Sequence, residues 1–208
     1  MEKKNILDTD IYCITSDKYA GNRSNLEVVS EMIEAGVDVI QYREKNKSLK
    51  EQYNECVEIR EMTEKAGVTF IVNDYVDLAI MVGADGIHLG QDDLPVREVR
   101  NLVGPEMIIG LSTHSPKQAQ RAEELDVNYI GVGPLFKTPT KDREPVGLEY
   151  LDFVVNNIDL PFVAIGGINE ENITEVKERG ARCICMVSEI VKSDDIVSKI
   201  ESIRNILN

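Results

Sequence analysis

Short β-branched runs alternate with amphipathic stretches along the whole chain, and this alternation restricts the folds open to it. The extended candidates are Ile11–Thr15, Val37–Tyr42, Thr69–Asn73, Gly86–Leu89, Met107–Leu111, Tyr129–Val132, Phe162–Ile165 and Cys183–Val187. Between them, Leu26–Ala35, Leu49–Ala66, Pro116–Leu125 and Glu170–Arg179 place apolar residues at helical spacing. Eight strands with intervening helices in 208 residues predict a single (β/α)8 barrel, the TIM barrel, over residues 1–208. A doubly wound open sheet shares the alternation and differs in strand order, which one sequence does not report. Ala35-Gly36, Ala66-Gly67, Gly83-Ala84 and Gly180-Ala181 read as helix C-caps feeding the next strand.

Composition narrows the partners. Lys and Arg total 23 against 37 Asp and Glu, a net charge of −14, so the surface would repel nucleic acid and anionic membranes. A phosphate ligand would be repelled at long range too, and any anion site must use local cations, backbone amides or a metal. No apolar run reaches the roughly 18 residues that span a bilayer, and the first residues (MEKKNILDTD) lack the apolar stretch of a signal peptide; a cytoplasmic location is expected. Cys13, Cys56, Cys183 and Cys185 have no CxxC or His partner and read as core thiols.

If the fold is a barrel, its active face is built where strands end. The second strand ends in QYREK, and alternation sends Gln41, Arg43 and Lys45 to one side. Two cations on one face of a strand end suit an anion, although Glu44 could simply pair with them. The third strand ends in Asn73 and Asp74. The fourth runs through GADGIHLGQDD to Asp93. Two carboxylates at successive strand ends suit Mg²⁺, which is usually held by one or two carboxylates plus substrate phosphates; either could instead be a helix N-cap.

The fifth strand leads into Ser112 and His114 in GLSTH, where Ser112 can donate to a heteroatom and His114 can be an acid–base group or a packing residue. No Ser-His-Asp order or nucleophile elbow accompanies them. From Gly133 to Gly147 (GPLFKTPTKDREPVG) there is no hydrophobic period, and such long connections are often lids or binding loops. Thr138, Thr140 and Lys141 in it can wrap a phosphate. AIGGI ends the seventh strand, and Val187-Ser188 follows the eighth. Gly167, with the helix start expected after it, and Val187-Ser188 match the phosphate turns recurrent after the last two strands of these barrels.

Taken together and in order, QYREK, the Asn73-Asp74 pair, GADGIHLGQDD, GLSTH, GPLFKTPTK, AIGGI and VSEI resemble the thiamine-phosphate synthase family from about Ile11 to Ile190. The resemblance implies a transferase that joins hydroxymethylpyrimidine diphosphate to thiazole phosphate. It places the pyrimidine diphosphate against Gln41, Tyr42, Arg43, Glu44, Lys45, Asn73, Ser112 and Lys141, with Mg²⁺ on Asp74 and Asp93. It places the thiazole phosphate against Thr138, Thr140, Gly167, Val187 and Ser188. The implied reaction is dissociative: diphosphate leaves, and the thiazole nitrogen captures a pyrimidine carbocation. Arg43, Lys45, Ser112 and Lys141 would then carry the catalysis, and no protein nucleophile is required.

By analogy the resemblance also implies a homodimer. The chain departs from the family at Tyr75, where a charged residue is common, and at Cys183, where glycine is usual. Other readings on the same barrel are a thiazole tautomerase using a histidine such as His114, a non-catalytic thiazole-phosphate binder, and a phosphosugar epimerase. The retained carboxylate pair, Arg43 and Lys141 distinguish the synthase reading from the first two.

Overall fold

The computed structural model describes residues 9–138 and 143–207. Eight strands form one parallel sheet: β1 (Tyr12–Ile14), β2 (Val39–Tyr42), β3 (Thr69–Asn73), β4 (Gly86–Leu89), β5 (Ile108–Thr113), β6 (Tyr129–Val132), β7 (Phe162–Ile165) and β8 (Cys183–Cys185). They pair in sequence order. A parallel bridge between Ile11 and Ile184 brings the last strand against the first, and the Ile184 amide donates to the Asp10 carbonyl at 2.9 Å. The sheet is thereby closed, and the open-sheet alternative falls away.

The helices that cover it are α1 (Asn25–Glu34), α2 (Leu49–Ala66), α3 (Val76–Val82), α4 (Val96–Val103), α5 (Pro116–Glu123), α6 (Leu148–Asn157), α7 (Ile173–Glu178), α8 (Val187–Val191) and α9 (Ile196–Leu207). Local chemistry fixes their ends. Ser24 and Ser48 each close a capping box with the glutamate three residues on, and Gly67 and Gly83 end α2 and α3 in left-handed conformation. Among the described residues, no helix is long and apolar enough to cross a membrane.

Strand alternation builds two cores from one sheet. Ile40, Tyr42, Phe70, Val72, Ile87, Leu89, Ile109, Ile130, Val132 and Ala164 face the helices. Tyr12, Ile14, Val39, Ile71, Tyr129, Val163, Cys183 and Cys185 fill the barrel interior. The interior is crowded: a Cβ on Gly110 would collide with the Tyr129 ring, and one on Gly86 would lie 2.6 Å from Ile71 Cδ1. Small residues here make room for the tyrosine.

Several boundaries differ by one to three residues from the sequence expectation, among them the limits of β1, β2, β5, α1 and α5, and two of the differences bear on the site. The strand expected to run to Val187 stops at Cys185, because Val187, Ile190 and Val191 share one face of a short helix whose last two residues are buried. The helix expected from Glu170 begins only at Ile173. Cys183 sits in regular register opposite Val163.

Candidate active site

A pocket of about 910 Å³ opens at the C-terminal ends of the strands, the face on which such barrels carry their chemistry. Gln41 and Arg43 reach it from β2, Asn73 from β3, Ser112 from β5, Thr138 from the long connection, Gly167 from the turn after β7, and Val187 and Ser188 from the start of α8. Residues far apart in sequence converge there because Gln41, Arg43, Asn73 and Ser112 stand at strand ends on inward-facing positions and the others lie on the connections that leave those ends.

Other expected site residues lie elsewhere. Tyr42 faces outward, and its hydroxyl donates to Glu55 at 2.7 Å. Glu44 is buried behind the strand, where it accepts from the Asp17 amide at 2.9 Å and from Asn25 Nδ2 at 3.2 Å. The period-two alternation that sends Arg43 into the pocket sends its neighbours away from it. These two side chains buttress the strand end instead of lining the pocket. Lys45 is 60% exposed at the rim and reaches Asp74 Oδ2 at 3.6 Å. Thr140 and Lys141 lie outside the described residues.

The carboxylates are not in the pocket lining but lie beside it, where Asp74 feels the charges of Lys45 and Arg43. Asp74 is the one non-glycine residue with positive φ (63°) among those described, a conformation that aspartate tolerates at some cost. Its amide donates to the His88 carbonyl at 2.9 Å, and the Tyr75 amide turns back to the Asn73 carbonyl at 2.7 Å. Burial first, and then the charge of Asp93, raise the Asp74 carboxyl above the ordinary range; Lys45 and Arg43 pull the other way. Asp93 Oδ2 accepts the Gly90 amide at 2.6 Å.

Neither carboxylate is a helix cap: α3 is preceded by Tyr75 and α4 by Pro95, both without a side-chain cap. Among the described residues no cluster of three or more His, Cys, Asp or Glu could hold a metal. A mutually repelling oxygen pair with one flanking ammonium suits a hard cation that takes its remaining ligands from water and phosphate. The residues present therefore accommodate Mg²⁺.

The glycines after β7 have a second use. The Leu135 amide donates to the Ile165 carbonyl at 3.0 Å and the Phe136 amide to the Gly166 carbonyl at 2.9 Å, so the first part of the long connection runs along the end of β7. Gly166 and Gly167 have φ of 101° and 67°, and a Cβ on Gly167 would lie 2.5 Å from the Lys137 carbonyl oxygen. Helix amides do not follow Gly167 directly, contrary to expectation. A turn tied by Asn169 and Asn172 intervenes, with Asn172 Nδ2 donating to the Gly167 carbonyl at 3.0 Å. At β8 the helix start does lie at the pocket, through Val187 and Ser188.

Below the mouth runs a polar chain that the sequence reading missed. Gln41 Nε2 donates to the Tyr12 hydroxyl at 2.9 Å, the hydroxyls of Tyr12 and Tyr129 are 2.7 Å apart, and Tyr129 lies 2.9 Å from His88 Nδ1. His88 Nε2 is 2.9 Å from Ser112 Oγ. Burial raises both phenols well above their ordinary range, so they act as neutral hydroxyls. Alternation around Gln41 and Gly86 was the available signal, since it turns His88 inward.

His114 also lines the pocket, with Nδ1 donating to the Gly133 carbonyl at 2.5 Å. None of the four cysteines is in a disulfide, and all are buried. Burial pushes the Cys13 thiol up to about 12 and raises those of Cys56 and Cys183 further, which leaves these three inert as nucleophiles. Tyr75 packs its ring against the core.

Comparison with known proteins shows the family and the fold. The family model described as thiamine monophosphate synthase matches residues 11–190. A thiamine-phosphate synthase of Pelotomaculum thermopropionicum is 62% identical over 98% of this chain and 94% of its own length. One from Lawsonia intracellularis is 54% identical over 95% of this chain and 92% of its own. Among solved structures, thiamine phosphate pyrophosphorylase from Pyrococcus furiosus superimposes with a TM-score of 0.88 at 35% identity, covering 98% of this chain and 96% of that one.

Proposed function

The chain belongs to the thiamine monophosphate synthase family, and from that premise we propose how the barrel mouth performs the coupling. The protein is a transferase of thiamine biosynthesis that joins a pyrimidine and a thiazole moiety to give thiamine phosphate. Its substrates are hydroxymethylpyrimidine diphosphate and thiazole phosphate, and the reaction is a dissociative substitution. The carrying observation is the convergence of Arg43, Asn73 and Ser112 in one pocket, with Arg43 also close enough to act on the Asp74 carboxyl that Asp93 faces.

In this reading Arg43, Lys45 and Lys141 neutralise charge as the diphosphate leaves, while Ser112 and Asn73 orient it. Asp74 and Asp93 would hold Mg²⁺, which when bound neutralises charge on the departing phosphates. The interior walls, Ile14, Val163 and Ile165, keep water from the carbocation until the thiazole nitrogen captures it. Thr138, Thr140, Gly167, Val187 and Ser188 hold the thiazole phosphate, where the first amides of α8 favour an anion. No protein nucleophile enters, in keeping with the protonated thiols.

The test is product analysis by mass spectrometry with purified protein, both substrates, and either Mg²⁺ or excess EDTA. Thiamine phosphate formed with metal and suppressed by chelation is the expected result. No product from folded protein would overturn the reading and direct the assay to thiazole isomerisation.

A further inference from the structure

The polar chain under the pocket is more than a filled core, because hydrogen-bond accounting gives it a direction. Tyr12 is 2% exposed, and its hydroxyl accepts the Gln41 amide hydrogen. Its own hydrogen must then go to Tyr129, 2.7 Å away; the opposite order would leave a phenol hydrogen buried without an acceptor. Tyr129, having accepted from Tyr12, passes its hydrogen to His88 Nδ1 at 2.9 Å. The imidazole therefore carries its hydrogen on Nε2 and donates it to Ser112 Oγ at 2.9 Å. With its oxygen engaged from below, Ser112 has its hydroxyl hydrogen to give to whatever lies in the pocket.

We infer that His88 is a positioning residue: oriented by Tyr129, Tyr12 and Gln41, it fixes Ser112 as a hydrogen-bond donor toward the substrate. The same order leaves Gln41 Oε1, at the other end of the chain, to present an acceptor. One chain of hydrogen bonds along the pocket wall thus sets what two pocket residues offer. The inference rests on the functional reading above only for the identity of the substrate; the direction of the chain stands on geometry.

The chain has two histidines, His88 and His114, which makes the direction measurable without turnover. Nitrogen-15 imidazole spectra of the folded protein should show opposite tautomers, Nε2–H at His88 and Nδ1–H at His114, whose Nδ1 faces the Gly133 carbonyl. An Nδ1–H His88 would overturn the inference even if thiamine phosphate is made. Kinetics with both substrates supply the second arm. His88→Leu should lower kcat/KM by about tenfold, the worth of one oriented hydrogen bond, and His88→Gln, whose amide reaches the Nε2 position, should recover most of it.

In a Ser112→Ala background, His88→Leu should add no further loss. Effects that multiply, or a glutamine variant no better than leucine, would show a merely structural role and overturn the inference. If His88→Leu does not fold, Tyr129→Phe keeps the ring and removes the hydroxyl; the same vanishing effect in Ser112→Ala is expected, and an undiminished one refutes the chain. Wild-type protein that gives the expected tautomers but no thiamine phosphate would refute the functional reading and leave the relay intact.

Discussion

The two ends of the barrel treat charge in opposite ways. At the N-terminal ends of the strands, charged and polar side chains are saturated with partners. Asp85 Oδ2 accepts from the Phe70 amide at 2.8 Å and from Arg60 at 3.1 Å. Arg100 donates to the carbonyls of Gly104, Met107 and Asp126 and to Asn128 Oδ1, at distances from 2.7 to 3.3 Å. Arg204 bridges Asp10 at 2.9 Å and the Ala35 and Gly36 carbonyls.

At the C-terminal ends burial and the neighbouring Asp93 raise the cost of ionising Asp74, which stands on a strained backbone. The first end is arranged for stability. The second sets a carboxylate whose ionisation is disfavoured on a strained backbone, and strain of that kind tends to collect at functional sites.

The largest effect that would break this comparison falls on turnover. Asp93→Ala should lower Mg²⁺-dependent kcat/KM by about a hundredfold or more while changing the melting temperature little; a variant that unfolds, or one with full activity, would refute the division. At the opposite end, Arg100→Met removes several charged hydrogen bonds from a side chain that is 10% exposed. It should cost about 2–4 kcal/mol, a fall of roughly 5–15 °C in Tm by calorimetry, with kcat/KM of the folded fraction unchanged. Gly167→Ala comes next, at about 1–3 kcal/mol, because a side chain at positive φ meets the Lys137 carbonyl; a neutral result would remove that contact from the account.

The smallest effect is a matter of pH. Asp74 is raised in the folded state, so its contribution is most favourable below the ordinary aspartate value of about 3.9 and is lost as pH rises through its own higher value. In metal-free protein the Tm of Asp74→Asn should therefore match the parent in acid and move above it toward neutrality. Mg²⁺ should raise the parent alone. A difference that shrinks with rising pH would have the wrong sign.

Much of this was legible in the sequence, for a physical reason. Strands such as Thr69–Asn73, Gly86–Leu89, Tyr129–Val132 and Phe162–Ile165, and the helix Leu49–Ala66, have the expected bounds, because β-branched runs between glycine and serine signals leave little freedom. The strand-end rule also placed Gln41, Arg43, Asn73 and Ser112 at one mouth.

What remained hidden depended on contacts between distant residues. Tyr12 and Tyr129 are 117 positions apart, and nothing local announces that their hydroxyls meet. Val187 reads as a strand residue until the burial of Ile190 and Val191 makes it helical. The delay of α7 arises from side-chain turns at Asn169 and Asn172, which compete with the helix for the same amides.

The division of labour between the two barrel ends is tested most directly by measuring Tm and Mg²⁺-dependent thiamine phosphate formation on one preparation of Asp74→Asn at neutral pH. The account predicts a metal-free Tm at or above the parent's, with product formation lost. A lower Tm with product formation retained would contradict it, and Asp74 would then be part of the structural frame.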